Sequence, residues 1–138
     1  MARQRPDRRQ NVAASATTQA DDQMTITLPW PPTVNSYYRT YKDRTILSAA
    51  GRQYKIDAGL AIAMSIKTPP MYTGRLEVEL HIAPPDRRRR DIDNYAKATL
   101  DALQAGGIFK DDSQIDRLFI YRLDVTKTPH VIAQVNTI

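Results

Sequence analysis

The sequence predicts a mixed α/β fold, a single compact domain in which a small mixed β-sheet packs with two helices. Three observations carry that expectation. Leu76, Val78, Leu80 and Ile82 alternate with Arg75, Glu77, Glu79 and His81, the period of a strand. Two longer segments, about 49–67 and 94–105, carry apolar residues at helical spacing between start and stop signals. A chain of 138 residues that is 41% apolar supports one core.

Taken in order, residues 1–23 read as a disordered basic tail, rich in Ala, Ser, Thr, Gln and charge, with almost nothing to bury. Arg3, Arg5, Arg8 and Arg9 would let it touch phosphates, although a merely solvated tail explains them as well. The folded domain is placed at 24–138. Met24–Leu28 reads as a short strand, stopped by Pro29-Trp30-Pro31-Pro32. Residues 33–47 read as an irregular polar segment. Ser48 is a helix N-cap, and Ile56, Leu60, Ala63 and Met64 give the following helix its apolar stripe. Thr68-Pro69-Pro70 ends it. The strand at about 75–83 stops at Pro84-Pro85, and His81 on its polar side reads as a surface histidine. The second helix ends at Gly106-Gly107, with Ala96, Leu100 and Leu103 as its buried side. Two more strands are expected at about 115–124 and 130–137.

Composition narrows the chemistry. Twenty Lys and Arg against fifteen Asp and Glu give a net charge of +5. The tail holds four of the basic and three of the acidic residues, so the domain keeps +4. That balance favours a polyanionic partner. Without cysteine, disulfides and thiolate zinc sites are excluded. With only His81 and His130, so is a three-histidine zinc site. A metal here would rest on carboxylates and water, which suits Mg²⁺ or Mn²⁺. No apolar run approaches the roughly 20 residues that span a bilayer, and the basic N-terminus lacks an apolar signal core. The expectation is therefore a cytoplasmic protein without a membrane partner.

The informative stretch is Asp86-Arg87-Arg88-Arg89-Arg90-Asp91-Ile92-Asp93-Asn94. Four successive arginines repel one another and sit most easily on a solvated loop or against phosphates. An extended approach to the helix would turn Asp91 and Asp93 to one side, beside the helix N-terminus. A helix cap is the alternative role for Asp93. Asp93, Lys97 and Asp101 then follow at i, i+4 and i+8. They form either ordinary salt bridges or a lysine held beside reacting carboxylates. Lys110-Asp111-Asp112-Ser113 follows a glycine turn that would bring Asp112 back toward Asp91 and Asp93. A polar turn bonded to its own backbone is the alternative. Carboxylates that hold a divalent ion, flanked by arginines that fork onto phosphates, suit phosphodiester hydrolysis.

These residues resemble the RusA family of crossover junction endodeoxyribonucleases. The matching pieces are Leu28–Arg39 (LPWPPTVNSYYR), the helix start Ser48-Ala49-Ala50-Gly51, Pro85–Asn94 (PDRRRRDIDN), and the following AKATLDAL and FKDDSQI. The resemblance implies that Asp91, Asp93 and Asp112 bind Mg²⁺, with Mn²⁺ as a substitute, and are catalytic together with Lys97. It implies supporting places for Asp111 and Asn94, and a DNA face made by Arg87, Arg88, Arg89, Arg90 and, more weakly, Asn35. It further implies a homodimer acting on four-way or other branched DNA in recombination and repair, near the nucleoid of bacteria or phage-infected cells. Two opposed cuts need two sites, which a two-fold dimer supplies. Two other readings share these residues: a branched-DNA-binding protein without catalysis, and a metal nuclease for other branched nucleic acids. Tyr37, Tyr38 and Tyr41 are read as packing residues of their loop, with base stacking as the alternative.

Overall fold

The computed structural model describes residues 17–20 and 22–138. Five strands make the main sheet: β1 (Thr17–Ala20), β2 (Gln23–Pro29), β5 (Leu76–Ala83), β6 (Ile115–Arg122) and β7 (His130–Thr137). Their order is β1-β2-β7-β5-β6, and only β5 and β6 run parallel. β3 (Tyr38–Tyr41) and β4 (Arg44–Leu47) form a separate hairpin. The helices are α1 (Val34–Tyr37), α2 (Ala49–Ser65) and α3 (Ala96–Ala105). The mixed sheet and the two long helices are as expected from the sequence.

Register explains the core. Ile26 of β2 pairs with Ala133 of β7, which pairs with Leu80 of β5. Met24, Val135 and Val78 form the next row, and Leu28, Val131 and Ile82 the one after. All nine are buried, so three adjacent strands present one continuous apolar face. Leu103, Ile108, Phe109 and Ile62 join the same cluster.

Several expectations are corrected. The expected tail gives way to a strand at Thr17–Ala20, paired antiparallel with β2; residues 1–16 and 21 lie outside the described residues. β2 does stop at the proline run as expected, with Pro29 as its last residue opposite His130. Residues 33–47 are not irregular: Thr33 caps α1, and the hairpin follows. Its turn places Lys42 and Asp43 at φ 47° and 60°, a left-handed pair. Lys-Asp lacks the glycine that usually announces such a turn.

The buried stripe of α2 is the other one. Tyr54, Ala58 and Ile62 face inward, while Ile56, Leu60, Ala63 and Met64 are exposed. Small residues and one tether select this face. The Tyr54 hydroxyl donates to the Pro29 carbonyl at 3.1 Å. A Cβ on Gly51 would lie 2.5 Å from the Tyr37 carbonyl oxygen, and one on Gly106 would meet Ile62 at the same distance. At Gly51, where the neighbour is backbone, only glycine permits the approach; at Gly106 the neighbour is the tip of the Ile62 side chain. In α3 the fully buried residues are Ala98, Thr99, Ala102 and Leu103, with Ala96 and Leu100 partly covered.

His81 is also not a surface residue. Both it and Glu79 are buried, because β5 lies inside the sheet with neighbours on either side. His81 pairs with Ile132 and Tyr121 and stacks on the Tyr121 ring at 4.8 Å.

Candidate active site

The parallel pair β5–β6 forces the chain to cross over between them, and the crossover carries both the arginine run and the candidate aspartates. Residues 84–91 leave the end of β5, a 3₁₀ turn at Ile92–Tyr95 enters α3, and a second 3₁₀ turn at Asp112–Gln114 enters β6. Loops beyond strand ends in such units are common places for ligands.

The arginine run is not uniform. Arg87, Arg88 and Arg89 are exposed. Arg90 folds back: its guanidinium meets the Asp86 carboxylate at 2.7 Å and donates to the Asp86 carbonyl at 3.0 Å. It also lies over the Trp30 ring, 5.9 Å from the centroid. Trp30 in turn packs against Tyr95 at 4.8 Å. The Arg90 hydrogen bond, with help from the Arg88 backbone, holds the Asp86 carboxyl below its ordinary range. Arg90 is thus a brace for the loop, whereas the resemblance implies for it the same DNA contact as for its neighbours. Arg122, which no sequence motif marks, donates to the Arg90 carbonyl at 2.6 Å. It shares a concavity of about 520 Å³ with Arg87 and Arg88.

Asp91 precedes the 3₁₀ turn with extended backbone, and its carboxylate makes no cap bond. Asp93 sits inside that turn, and Tyr95 occupies the N-cap position of α3, so Asp93 does not cap the helix. Asp91 and Asp93 are both exposed. Asp91 and Asn94 line a smaller hollow of about 400 Å³ with Thr33, Arg89 and Arg90. The Asn94 N–H donates to the Asp91 carbonyl at 3.2 Å, which closes the turn. Asn35 is exposed on α1.

The turn after α3 brings Asp112 beside the helix. Gln104 of α3 accepts from the Asp112 N–H at 3.2 Å. Asp111 caps the second 3₁₀ turn by accepting from the Ser113 N–H and hydroxyl, while Gln114 accepts from the Asp111 N–H at 2.7 Å. The Ser113 bonds hold the Asp111 carboxyl below its usual range. Asp112 is left facing α3, where its carboxylate lies 3.9 Å from the Lys97 ammonium. Lys97 also meets Asp101 at 3.1 Å. The Asp101 hydrogen bond raises the Lys97 pKa above its ordinary range, so Lys97 stays an ammonium near neutrality.

The structure therefore forms two neighbouring groups along α3: Asp91 and Asn94 with the arginines at the entry turn, and Lys97, Asp101 and Asp112 one turn further on. Among the described residues, no three carboxylate or imidazole side chains close into one metal cage. Tyr37 is buried and Tyr41 half-exposed. Tyr38, partly buried, packs edge-on against Tyr37 at 4.9 Å. Among the described residues, no helix is long and apolar enough to cross a membrane.

Comparison with known proteins bears on what this arrangement does. Residues 29–136 match the family model described as endodeoxyribonuclease RusA. The chain is 40% identical over 113 residues to the crossover junction endodeoxyribonuclease of Enterobacteria phage 82, covering 74% of this chain and 84% of that one. The crossover junction endodeoxyribonucleases of Shigella sonnei and Escherichia coli K12 match with the same identity and coverage.

Proposed function

The chain belongs to the RusA endodeoxyribonuclease family, and from that premise we propose that it is a nuclease that resolves four-way DNA junctions by paired nicks, working as a homodimer with Mg²⁺. The observation that carries this reading is the crossover itself. It sets exposed Arg87–Arg89 directly before Asp91 and Asp93, and it brings Lys97 and Asp112 together one turn along the same helix.

Each group has a role that its surroundings support. Arg87, Arg88, Arg89 and Arg122 fork onto phosphates flanking the cut, and Asn35 extends that face. Asp91, Asp93 and Asp112 would hold the metal, with Asn94 and Asp111 shaping the turns that present them. The donor set suits a hard cation. The two histidines lie elsewhere, His81 buried in β5 and His130 bonded to the Thr128 carbonyl. Mg²⁺ keeps several waters and takes phosphate oxygens beside its carboxylates, so exposed carboxylates in an open arrangement suit it. When bound, the ion supplies an activated water and charge neutralisation at the leaving oxygen. Lys97, an ammonium, meets the negative charge that grows on the phosphate. Mn²⁺ is expected to substitute. A single chain offers one such site, and opposed nicks in a junction need two related by a two-fold axis.

The test is cleavage of a labelled mobile four-way junction, with Mg²⁺ or EDTA, by wild type and Asp91→Asn. The expected result is paired nicks that need Mg²⁺ and vanish in the variant while junction binding persists. Binding without cleavage under any divalent metal would leave a branched-DNA-binding protein. Faster cutting of flaps or forks would move the substrate away from junctions. Sedimentation of the free protein checks the dimer.

A further inference from the structure

We propose that Asp101 and Tyr37 are positioning residues for Lys97, joining the proline-rich N-terminal motif to the reacting centre; the inference rests on the nuclease reading above. A lysine on a flexible stem does not hold one place by itself, and an exposed ion pair with its neighbour fixes it poorly. Here the partner is itself held. Lys97 meets Oδ1 of Asp101 at 3.1 Å, and the Tyr37 hydroxyl donates to Oδ2 at 3.1 Å. The two bonds use different oxygens, so the carboxylate bridges the lysine and the phenol.

Tyr37 stands on rigid ground. It is fully buried, and its carbonyl accepts from the Ser48 N–H at 2.9 Å and the Ser48 hydroxyl at 3.2 Å. Gly51 packs against the same carbonyl so closely that no side chain fits there. Burial, followed by the nearby Asp101 charge, raises the Tyr37 pKa, so the phenol stays a donor at working pH. Tyr37 thus fixes Asp101, and Asp101 draws the ammonium to 3.1 Å while Asp112 stands at 3.9 Å. Without Asp101 the ammonium has Asp112 as its nearest carboxylate. It would settle there and neutralise a group that the reaction needs. This accounts for a feature of the Leu28–Arg39 motif that phosphate binding does not: a buried tyrosine whose hydroxyl reaches the catalytic helix.

The experiment is a double-mutant cycle on single-turnover junction cleavage, with junction affinity in EDTA and Tm measured in parallel. Asp101→Asn should slow cleavage about tenfold, in the range set by second-layer partners of catalytic groups, with affinity and Tm unchanged. In a Lys97→Ala background it should slow cleavage no further. Tyr37→Phe should act in the same direction more weakly, and Asp101→Glu should recover part of the rate. In ¹H–¹⁵N spectra of the free protein, the Lys97 ammonium signal should be sharp in wild type and broaden in Asp101→Asn. Equal slowing in both backgrounds, or slowing that tracks a fall in Tm for both Asp101→Asn and Tyr37→Phe, would overturn the proposal. Should wild type nick no junction, the nuclease reading fails, while the ammonium signal still decides whether Asp101 tethers Lys97.

Discussion

The two loops that flank α3 hold their acidic residues by different means. The exit loop is held by a capping box: Asp111 accepts from Ser113, Gln114 accepts from the Asp111 N–H, and Gln114 also donates to the carbonyls of Tyr72 and Gly74 at 2.9 Å. Its order thus joins a local cap to bonds that reach far back along the chain. At the entry loop the Asp91 carboxylate makes no cap bond, and the Asn94 N–H closes the turn on the Asp91 carbonyl instead. The loop is braced through Arg90, which pairs with Asp86 inside the loop and lies over Trp30, itself packed on Tyr95, outside it. One loop thus separates a turn-capping aspartate, Asp111, from Asp112, which faces Lys97 and is the one proposed to react, within two adjacent positions. The other separates a structural arginine, Arg90, from three that face solvent. Identical residue types in unbroken runs have been sorted by their partners, and residue type alone would rank them equally.

The sharpest way to break this comparison is to remove charge within each acidic pair. Asp112→Asn, like Asp91→Asn or Asp93→Asn, should lower junction cleavage by at least about a hundredfold with binding retained. Asp111→Asn should leave most of the rate, because its carboxylate holds a turn and faces no reacting group. Asn keeps the capping acceptor, so Tm should barely move; Asp111→Ala, which loses the cap, should lower it by a few degrees. If Asp111→Asn and Asp112→Asn lost activity equally, the division between structural and reactive aspartates would be wrong.

The arginine run offers the next test. Arg90→Ala should slow cleavage about tenfold, since the loop that carries Asp91 loses its brace, a displacement of the kind that misplaces reacting groups. Arg90→Lys should not restore it, because an ammonium cannot reproduce the forked bonds and the flat stack on Trp30. Arg88→Ala should leave the single-turnover rate nearly intact at saturation. It should weaken junction binding severalfold and make the log–log salt dependence shallower by about 0.9, the value for one phosphate no longer neutralised. A binding defect for Arg90→Ala as large as that of Arg88→Ala, with the same change of slope, would return the run to four equivalent phosphate ligands.

How much of this is legible in the sequence depends on how local the cause is. The Ser48 cap, the Gly106-Gly107 stop and the strand of Leu76–Ile82 rest on neighbouring residues and can be read directly. The expected approach of Asp112 to Asp91 and Asp93 depends on topology; the contacts seen for Asp112 are with Gln104 and Lys97 of α3. The choice between the two stripes of α2 cannot be read. Ile56, Leu60 and Met64 are more apolar than Tyr54, Ala58 and Ile62, yet close approach at Gly51 and Gly106 decides the matter. That cause lies in residues far apart in the chain. Burial of His81 likewise follows from the place of β5 between β7 and β6, which alternation within one strand cannot reveal. At the site, Lys97 and Asp101 are visible as an i, i+4 pair. The phenol that fixes Asp101 is not, because it comes from 64 residues earlier. The division of Arg90 from its neighbours needs Trp30 for the same reason.

The smallest effect expected is one of pH, and it separates the braced loop from the capped one. Asp86 has its carboxyl held below the ordinary range by Arg90, so the folded state binds its proton more weakly than the unfolded chain does. Its contribution is therefore present in full above the unfolded carboxylate pKa of about 3.9. It fades as pH falls through the lower folded value. Asp111 is shifted in the same direction by Ser113 and should fade over the same acid window. The two differ in which replacement removes the effect. The acid limb of Tm against pH should become shallower in Arg90→Gln as the Asp86 shift shrinks to what the Arg88 N–H sustains, and in Ser113→Ala as the Asp111 shift loses its hydroxyl donor. Both changes should be small, because both carboxylates face water. Near neutrality the variants should differ in another way: Ser113→Ala keeps a rate close to wild type, while Arg90→Gln does not. A neutral-pH rate for Arg90→Gln equal to that of Ser113→Ala would mean that the entry loop presents Asp91 without the Arg90 brace.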